Sequence, residues 1–215
     1  MSGMMKYAEQ LGLRPRGSNP CKGTPRYKRK LLERYLSAPE FHRLALALRE
    51  FEEAEPIAVQ AIRLLIYTGA RRGEIEELRW EWVQPPRLML PDSKTGAKIV
   101  YLNKPAQAVL DAMPMNAETG FVFPSRCEGR PVDLTIAWNR IRRHAALPDV
   151  RLHDLRHSFA SVAIADGISL SVIGKLLGHA LIETTERYAH LADGTIADAA
   201  DRVSGSLARC LGIAA

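Results

Sequence analysis

The stretch PIAVQAIRLLIYTG at positions 56–69 constrains the fold most, because it is apolar on nearly every side when it is wound as a helix. A helix without a polar face has to be buried on all sides. We therefore predict that residues 56–69 form the central helix of the core. The glycine at its end is followed directly by Ala70, Arg71 and Arg72, so charged side chains emerge where a buried helix stops.

The rest of the chain reads as mainly helical with one small sheet. Ser37 is placed to cap a helix in SAPEFHRLALALREFEE, and MMKYAEQLG predicts a short helix that stops at Gly12. RLMLP and KIVYLN are typical of strands and flank a hairpin turn in DSKTGA, and GFVFPS is a further extended candidate. Three more helices are predicted in DLTIAWNRIRRHAAL, HDLRHSFASVAIADG and SLSVIGKLLGHA. The fold class is thus mainly α with a small antiparallel β-sheet (α+β).

Length and composition exclude several classes of protein. The 215 residues suffice for one sizeable domain, and charges interrupt every apolar run before it could span a membrane. The first 20 residues lack the apolar core of a signal peptide, so we expect a cytoplasmic protein. Three widely spaced cysteines without a CxxC pair favour reduced thiols and argue against a structural zinc site.

The net charge of +6 is concentrated at the N-terminus. Residues 1–36 hold nine lysines and arginines against two glutamates, whereas the remainder is close to neutral. This basic segment fits either a solvated tail or an arm that contacts the phosphate backbone of a nucleic acid, and charge alone leaves both open. Its densest part contains Arg26, Lys28, Arg29 and Lys30.

The segment RLHDLRHSFAS at positions 151–161 is the densest polar cluster of the body. His153 and Arg156 are spaced i, i+3 and share one side of a helix, which fits a charged edge, a metal site or an anion site. The glutamate of an HExxH zinc motif is absent, and the adjacent arginines would repel a cation. A guanidinium beside an imidazole suits a phosphate better, because both can donate hydrogen bonds to its oxygens.

Four other polar residues each have an ordinary structural interpretation when taken alone. Arg71 could cap a helix, Lys94 could face solvent at the hairpin turn, His179 could end the apolar helix before it, and Tyr188 could pack in a core. Together they are no longer independent. The stretches TGARRGEI, SKTGAK, HDLRHSFAS, LLGH and TTERYAHL occur in this order over roughly residues 37–192 and closely resemble the tyrosine recombinase (phage integrase) family.

The resemblance implies a DNA breaking-rejoining fold and cleavage of a DNA strand through a covalent 3′-phosphotyrosine, with Tyr188 as the nucleophile. It implies that Arg71 and Arg156 hold the non-bridging oxygens of the scissile phosphate, which requires neither a metal nor another cofactor. The retained bond energy of the phosphotyrosyl ester also explains the absence of an ATP-binding motif.

The resemblance also assigns the proton transfers. His153 would be the general base for the tyrosine, and His179 an additional hydrogen-bond donor to the phosphate. Lys94 would be the general acid for the leaving 5′-hydroxyl. Glu74, one helical turn after Arg71, would orient the site without reacting, and His157 would be structural.

The resemblance divides the chain into three parts: a basic helix and linker at 1–36, a catalytic domain at 37–192 and a C-terminal helix at 193–215. The first part looks like the remnant of a larger core-binding domain, so the chain resembles a shortened recombinase. Double-stranded DNA is the expected partner, with self-association into a tetramer on it. The C-terminal helix could dock on a neighbouring protomer or fold back on its own core.

Two other activities stay open. The chain could be a catalytically poor DNA-binding or partner-binding module left from a degraded integrase. It could also be a relaxase-like nicking enzyme that does not exchange strands.

Overall fold

The structure is a computed structural model that describes residues 1–24, 34–91, 96–115, 120–127, 129–178 and 203–204. The chain divides into two compact units, Met1–Leu32 and Glu33–Ala215. The first unit contains helix α1 (Ser2–Gln10), followed by turns in which the Asn19 side chain donates to the Ser2 carbonyl at 3.1 Å. The predicted short N-terminal helix is therefore confirmed.

The second unit carries the remaining helices and the sheet of the described chain. The helices are α2 (Ala38–Glu50), α3 (Pro56–Thr68), α4 (Arg72–Glu76), α5 (Lys104–Asp111), α6 (Leu134–His144), α7 (Leu152–Ala165) and α8 (Leu170–Leu177), with a 3₁₀ turn at Trp80–Trp82. The strands are β1 (Val83–Gln84), β2 (Arg87–Leu90) and β3 (Lys98–Tyr101). The fold is mainly helical with a small antiparallel sheet, as the sequence predicted.

Helix α3 lies at the centre of the core. Val59, Ala61, Ile62 and Leu64 are fully buried on successive sides of it, because α5, α6 and α7 all pack against this one helix. The prediction of a central helix at 56–69 is confirmed. Gly69 ends it with a φ of +62°, and a Cβ there would come within 2.8 Å of the Phe159 ring and the Leu177 side chain. A glycine is needed at this position for both reasons.

The three strands form an antiparallel sheet in the order β1-β2-β3. Leu88 pairs with Val100, and both are buried, which is the alternation expected of a sheet with one face on the core. The same alternation turns Lys98 inward, two residues before Val100, so a cationic side chain begins the buried face of β3. The hairpin turn at 92–95 lies outside the described residues.

Local signals explain several element boundaries. Ser37 caps α2 as predicted, and the Glu40 carboxylate accepts hydrogen bonds from its N–H at 2.8 Å and its hydroxyl at 3.1 Å. The extended segment predicted in GFVFPS is not a strand of the sheet. It is held instead by isolated bridges, in which Phe121 pairs with Arg79 and Pro124 with Pro131.

Four described elements were not predicted from the sequence: α4, α5, β1 and the 3₁₀ turn at Trp80–Trp82. The predicted C-terminal helix at 193–215 lies outside the described residues except for 203–204. Within the described parts of the chain, no helix is long and apolar enough to cross a membrane.

Candidate active site

The loop between α3 and α4 places Arg71. This residue is the N-cap of α4, and its own N–H donates to Oε2 of Glu74 at 2.8 Å while its Nη1 donates to Oε1 at 2.7 Å. The Glu74 carboxylate thus fixes both the backbone and the guanidinium of Arg71. The orienting role predicted for Glu74 is consistent with these two contacts.

Lys98 reaches the same carboxylate from the sheet. Its Nζ lies 2.7 Å from Oε2 of Glu74, and the two side chains are only 4% and 6% exposed. Burial lowers the pKa of Lys98 to about 8, and the positive charges of Arg156 and Arg71 act in the same direction while Glu74 opposes them. Burial alone would raise the pKa of Glu74, but the charge of Lys98 and the hydrogen bonds from Lys98 and Arg71 outweigh it and keep the pKa below its usual range.

Arg156 is the most deeply placed guanidinium of the site. It sits on α7, is 4% exposed, and donates from Nη1 to the Gly69 carbonyl at 2.7 Å and from Nη2 to the Leu177 carbonyl at 2.9 Å. These are the carbonyls at the ends of α3 and α8, which are otherwise left without helical partners. Arg156 therefore ties three helices together.

His153 lies one turn before Arg156, near the start of α7. Its side chain is exposed, and its ring packs edge to face against the buried ring of His157, with 4.7 Å between centroids. The start of the helix is fixed by Asp154, a fully buried carboxylate that accepts from the Arg151 N–H at 2.7 Å and from its guanidinium. Asp154 and Arg151 thus fix the start of the helix.

The structure brings four of these side chains together, and we call Arg71, Glu74, Lys98 and Arg156 the basic cluster. With Lys98 protonated, the cluster holds three cations and one carboxylate, which pairs with Arg71 and Lys98. No group of three or more metal-ligating side chains occurs among the described residues, whereas such an excess of fixed positive charge suits an anion. The guanidiniums add the planar donor geometry that matches phosphate oxygens.

Several site residues named from the sequence lie outside the described residues: Lys94, His179, Tyr188, and the basic residues Arg26, Lys28, Arg29 and Lys30. Their flanking elements are described. Strand β3 begins four residues after Lys94, and Gly178 is the residue directly before His179.

Lys98 is the member of the basic cluster that the sequence analysis did not name. The signal for it was weak but present. Val100 and Leu102 are apolar and alternate with Lys98, so a strand that buries the first two also buries the lysine.

The second unit thus combines a helical domain with a three-stranded sheet, and it holds Arg156 buried and Arg71 partly buried. The model of the Phage integrase family matches residues 34–195. The chain therefore belongs to the phage integrase family, as the resemblance predicted.

Individual relatives agree with this assignment. The integrase of Escherichia phage P2 is 33% identical over 85% of this chain and 51% of its own length. The catalytic domain of bacteriophage HP1 integrase has a TM-score of 0.61 at 28% identity and covers 78% of this chain and 93% of that domain. A lambda integrase tetramer bound to a Holliday junction has a TM-score of 0.58 at 20% identity, over 84% of this chain and 56% of that one. The chain spans about half the length of the curated relatives that it matches.

The buried carboxylate of Glu74 should contribute to the stability of the folded chain. We expect Glu74→Gln to lower the free energy of unfolding at pH 7 by about 3–5 kcal/mol, because Lys98 would lose its buried counter-charge. Since the pKa of Glu74 is lowered in the folded state from 4.5, the wild type holds this contribution above pH 4.5 and loses it as the pH falls through the folded value.

Urea denaturation at pH 7 and pH 3 measures the difference between the two proteins, which should shrink at the lower pH. The matched control is Glu77→Gln, which removes the exposed carboxylate at the end of α4. A difference that is the same at both pH values would contradict the assignment.

Proposed function

We propose that the chain is a site-specific DNA recombinase that cleaves and rejoins DNA strands through a 3′-phosphotyrosyl intermediate. The observation that carries the proposal is the basic cluster, in which Arg71 and Arg156 are held by hydrogen bonds within a member of the phage integrase family. Double-stranded DNA is the proposed substrate, and the lambda integrase relative is bound to a DNA junction.

The proposed reaction consists of a cleavage step and a religation step. In the first step the phenolic oxygen of Tyr188 attacks the scissile phosphorus, the P–O5′ bond breaks, and the 3′ end remains joined to the tyrosine. Ionising a tyrosine at pH 7 costs about 4 kcal/mol, so a base must take the phenolic proton during the attack. His153 is proposed for that role, and its exposed position on α7 leaves it accessible to a substrate.

The phosphorane that forms carries more negative charge than the phosphodiester. Arg71 and Arg156 would stabilise that charge without moving, because Glu74 and two backbone carbonyls already fix their orientation. His179 would donate a further hydrogen bond, and Lys94 would protonate the departing 5′-oxygen. Religation reverses the steps with a 5′-hydroxyl of the partner strand.

An adduct assay tests the proposal. Because the target site is unknown, the probe is a pool of nicked duplexes with randomised sequence, incubated with the protein without Mg²⁺ and analysed on a denaturing gel. We expect an SDS-resistant protein–DNA adduct that disappears in Tyr188→Phe and forms about 10²–10⁴ times more slowly in His153→Gln. Tyr101→Phe, at a half-exposed tyrosine of β3, and His42→Gln, at an exposed histidine of α2, are the matched controls.

The other outcomes separate the alternatives. A gel shift without any adduct would favour a DNA-binding module that has lost the chemistry. Relaxation of a supercoiled plasmid without strand exchange would favour a nicking enzyme.

We further propose that the segment containing Arg26, Lys28, Arg29 and Lys30 binds the DNA backbone. Each phosphate contact adds about 0.9 to the slope of log K against log salt concentration. Changing all four residues to alanine should therefore reduce the slope by about 3–4, measured by fluorescence anisotropy with duplex DNA. Lys104→Ala, at an exposed lysine of α5, should leave it unchanged. An unaltered slope in the fourfold variant would rule out this segment as a DNA contact.

We also propose that the chain divides into three parts at 1–36, 37–192 and 193–215. The last part is proposed to mediate self-association on DNA. Deleting residues 194–215 should abolish the tetramer on DNA and leave binding of one protomer intact, as resolved by analytical ultracentrifugation with a duplex. If the shortened chain assembles like the full one, the segment folds back on its own protomer instead.

A further inference from the structure

Lys98 is a buried cation for which the proposed chemistry has no role. It is 4% exposed, and a lysine is rarely buried unless a specific partner compensates the loss of hydration. Two separate contacts hold it. The Nζ atom binds the Glu74 carboxylate, and the aliphatic stem fills the space beside Gly178, where an added Cβ would overlap three of its carbon atoms.

The first contact affects Arg71. The Glu74 carboxylate serves two cations at once, with Oε2 taking Lys98 and Oε1 taking Arg71. With Lys98 as a second cation, the Glu74 carboxylate neutralises Arg71 less completely. Lys98 also adds positive charge close to Arg71 and Arg156, whose charges in turn lower its pKa. Without Lys98, the carboxylate would neutralise Arg71 more fully and reduce its attraction for an anion.

The second contact affects the end of α8. Gly178 closes this helix with a φ of +64°, the Leu177 carbonyl accepts from Arg156, and His179 follows directly in the sequence. The stem of Lys98 packs where the chain leaves the helix. It thus helps to fix the C-terminal end of α8, which His179 follows in the sequence.

We propose that Lys98 is a positioning residue for strand transfer, whose ammonium sets the orientation and net charge of the Arg71–Glu74 pair and whose stem fixes the end of α8 before His179. The inference rests on the proposed recombinase function. Lys98 does not have to touch the phosphate, since it acts through Glu74 and Gly178.

The role requires a protonated ammonium, which gives it a pH signature. Among the described residues, the charged groups that face Lys98 are Glu74 and Arg71 from α4 and its cap, and Arg156 from α7. As the pH rises through about 8, the lysine loses its proton while both arginines keep theirs. At pH 9 about a tenth of the lysine would remain charged, so the second-order rate of adduct formation, which reports the free protein, should lose about tenfold from this cause.

Lys98→Arg isolates this effect because it keeps the charge at alkaline pH. We expect the ratio of the Lys98→Arg rate to the wild-type rate to rise about tenfold between pH 7 and pH 9. The ratio removes the titrations that both proteins share, including those of His153 and Tyr188. A ratio that stays flat over this range would overturn the proposal, because a merely structural lysine would not produce the rise.

Lys98→Met keeps the stem and removes the charge. It should slow adduct formation by about 10–100-fold at pH 7, the range typical of groups that orient a reacting residue. Lys104→Met is the matched control and should leave the rate of adduct formation unchanged.

In a Glu74→Gln background, Lys98→Met should reduce the rate of adduct formation only slightly further, because both changes break the same link. Full additivity of the two losses would overturn the route through Glu74.

Binding of inorganic phosphate, measured by calorimetry on the same proteins, does not depend on DNA cleavage. We expect the wild type to bind phosphate and Lys98→Met to bind it at least tenfold more weakly. If no adduct forms but this difference is present, the recombinase proposal fails and the role of Lys98 in the anion site stands. Equal phosphate binding by both proteins, or none by either, overturns the role of Lys98. If Lys98→Met does not fold, as judged by circular dichroism, the Lys98→Arg ratio and its phosphate binding at pH 9 decide.

Discussion

The arrangement of the site depends on the hydrogen bonds of Arg156 to the carbonyls of Gly69 and Leu177. A helix end that is buried needs partners for its last carbonyls, and here one guanidinium from α7 supplies a partner to both α3 and α8. The same side chain is thereby fixed by the core. Burying the charge of Arg156 is costly, but the guanidinium is packed in the core and hydrogen-bonded there. Its position is therefore set by the central helix rather than by a surface loop.

Glu74 compensates for the positive charge that is buried in the basic cluster. Burial lowers the pKa of Lys98 to about 8, and the repulsion from the nearby arginines acts in the same direction. One carboxylate between Arg71 and Lys98 offsets part of the cost and leaves positive charge in excess. A site balanced in this way is less stable than a neutral one, and it recovers stability when an anion binds.

Much of the fold and part of the site could be predicted from the sequence. The apolar helix ending at Gly69 and the serine cap of α2 are local signals, and local chemistry decides them. Helix α4 could not be predicted, because its five residues depend on the link from Arg71 to Glu74. Lys98 was missed for a related reason. A lysine on a strand faces solvent by default, and the packing of β3 against α8 covers the inward side on which the alternation places it.

The composition of the basic cluster suits an anion such as phosphate better than a metal. Metal sites concentrate carboxylates and imidazoles. Here the Glu74 carboxylate is already paired with Arg71 and Lys98, and the fixed hydrogen-bond donors are guanidinium groups. Donors held by helix ends and by a buried ion pair do not have to reorient when charge develops on a reacting phosphate. The cost of ordering them has already been met in folding, so in the proposed reaction their attraction for the phosphorane would lower the barrier directly.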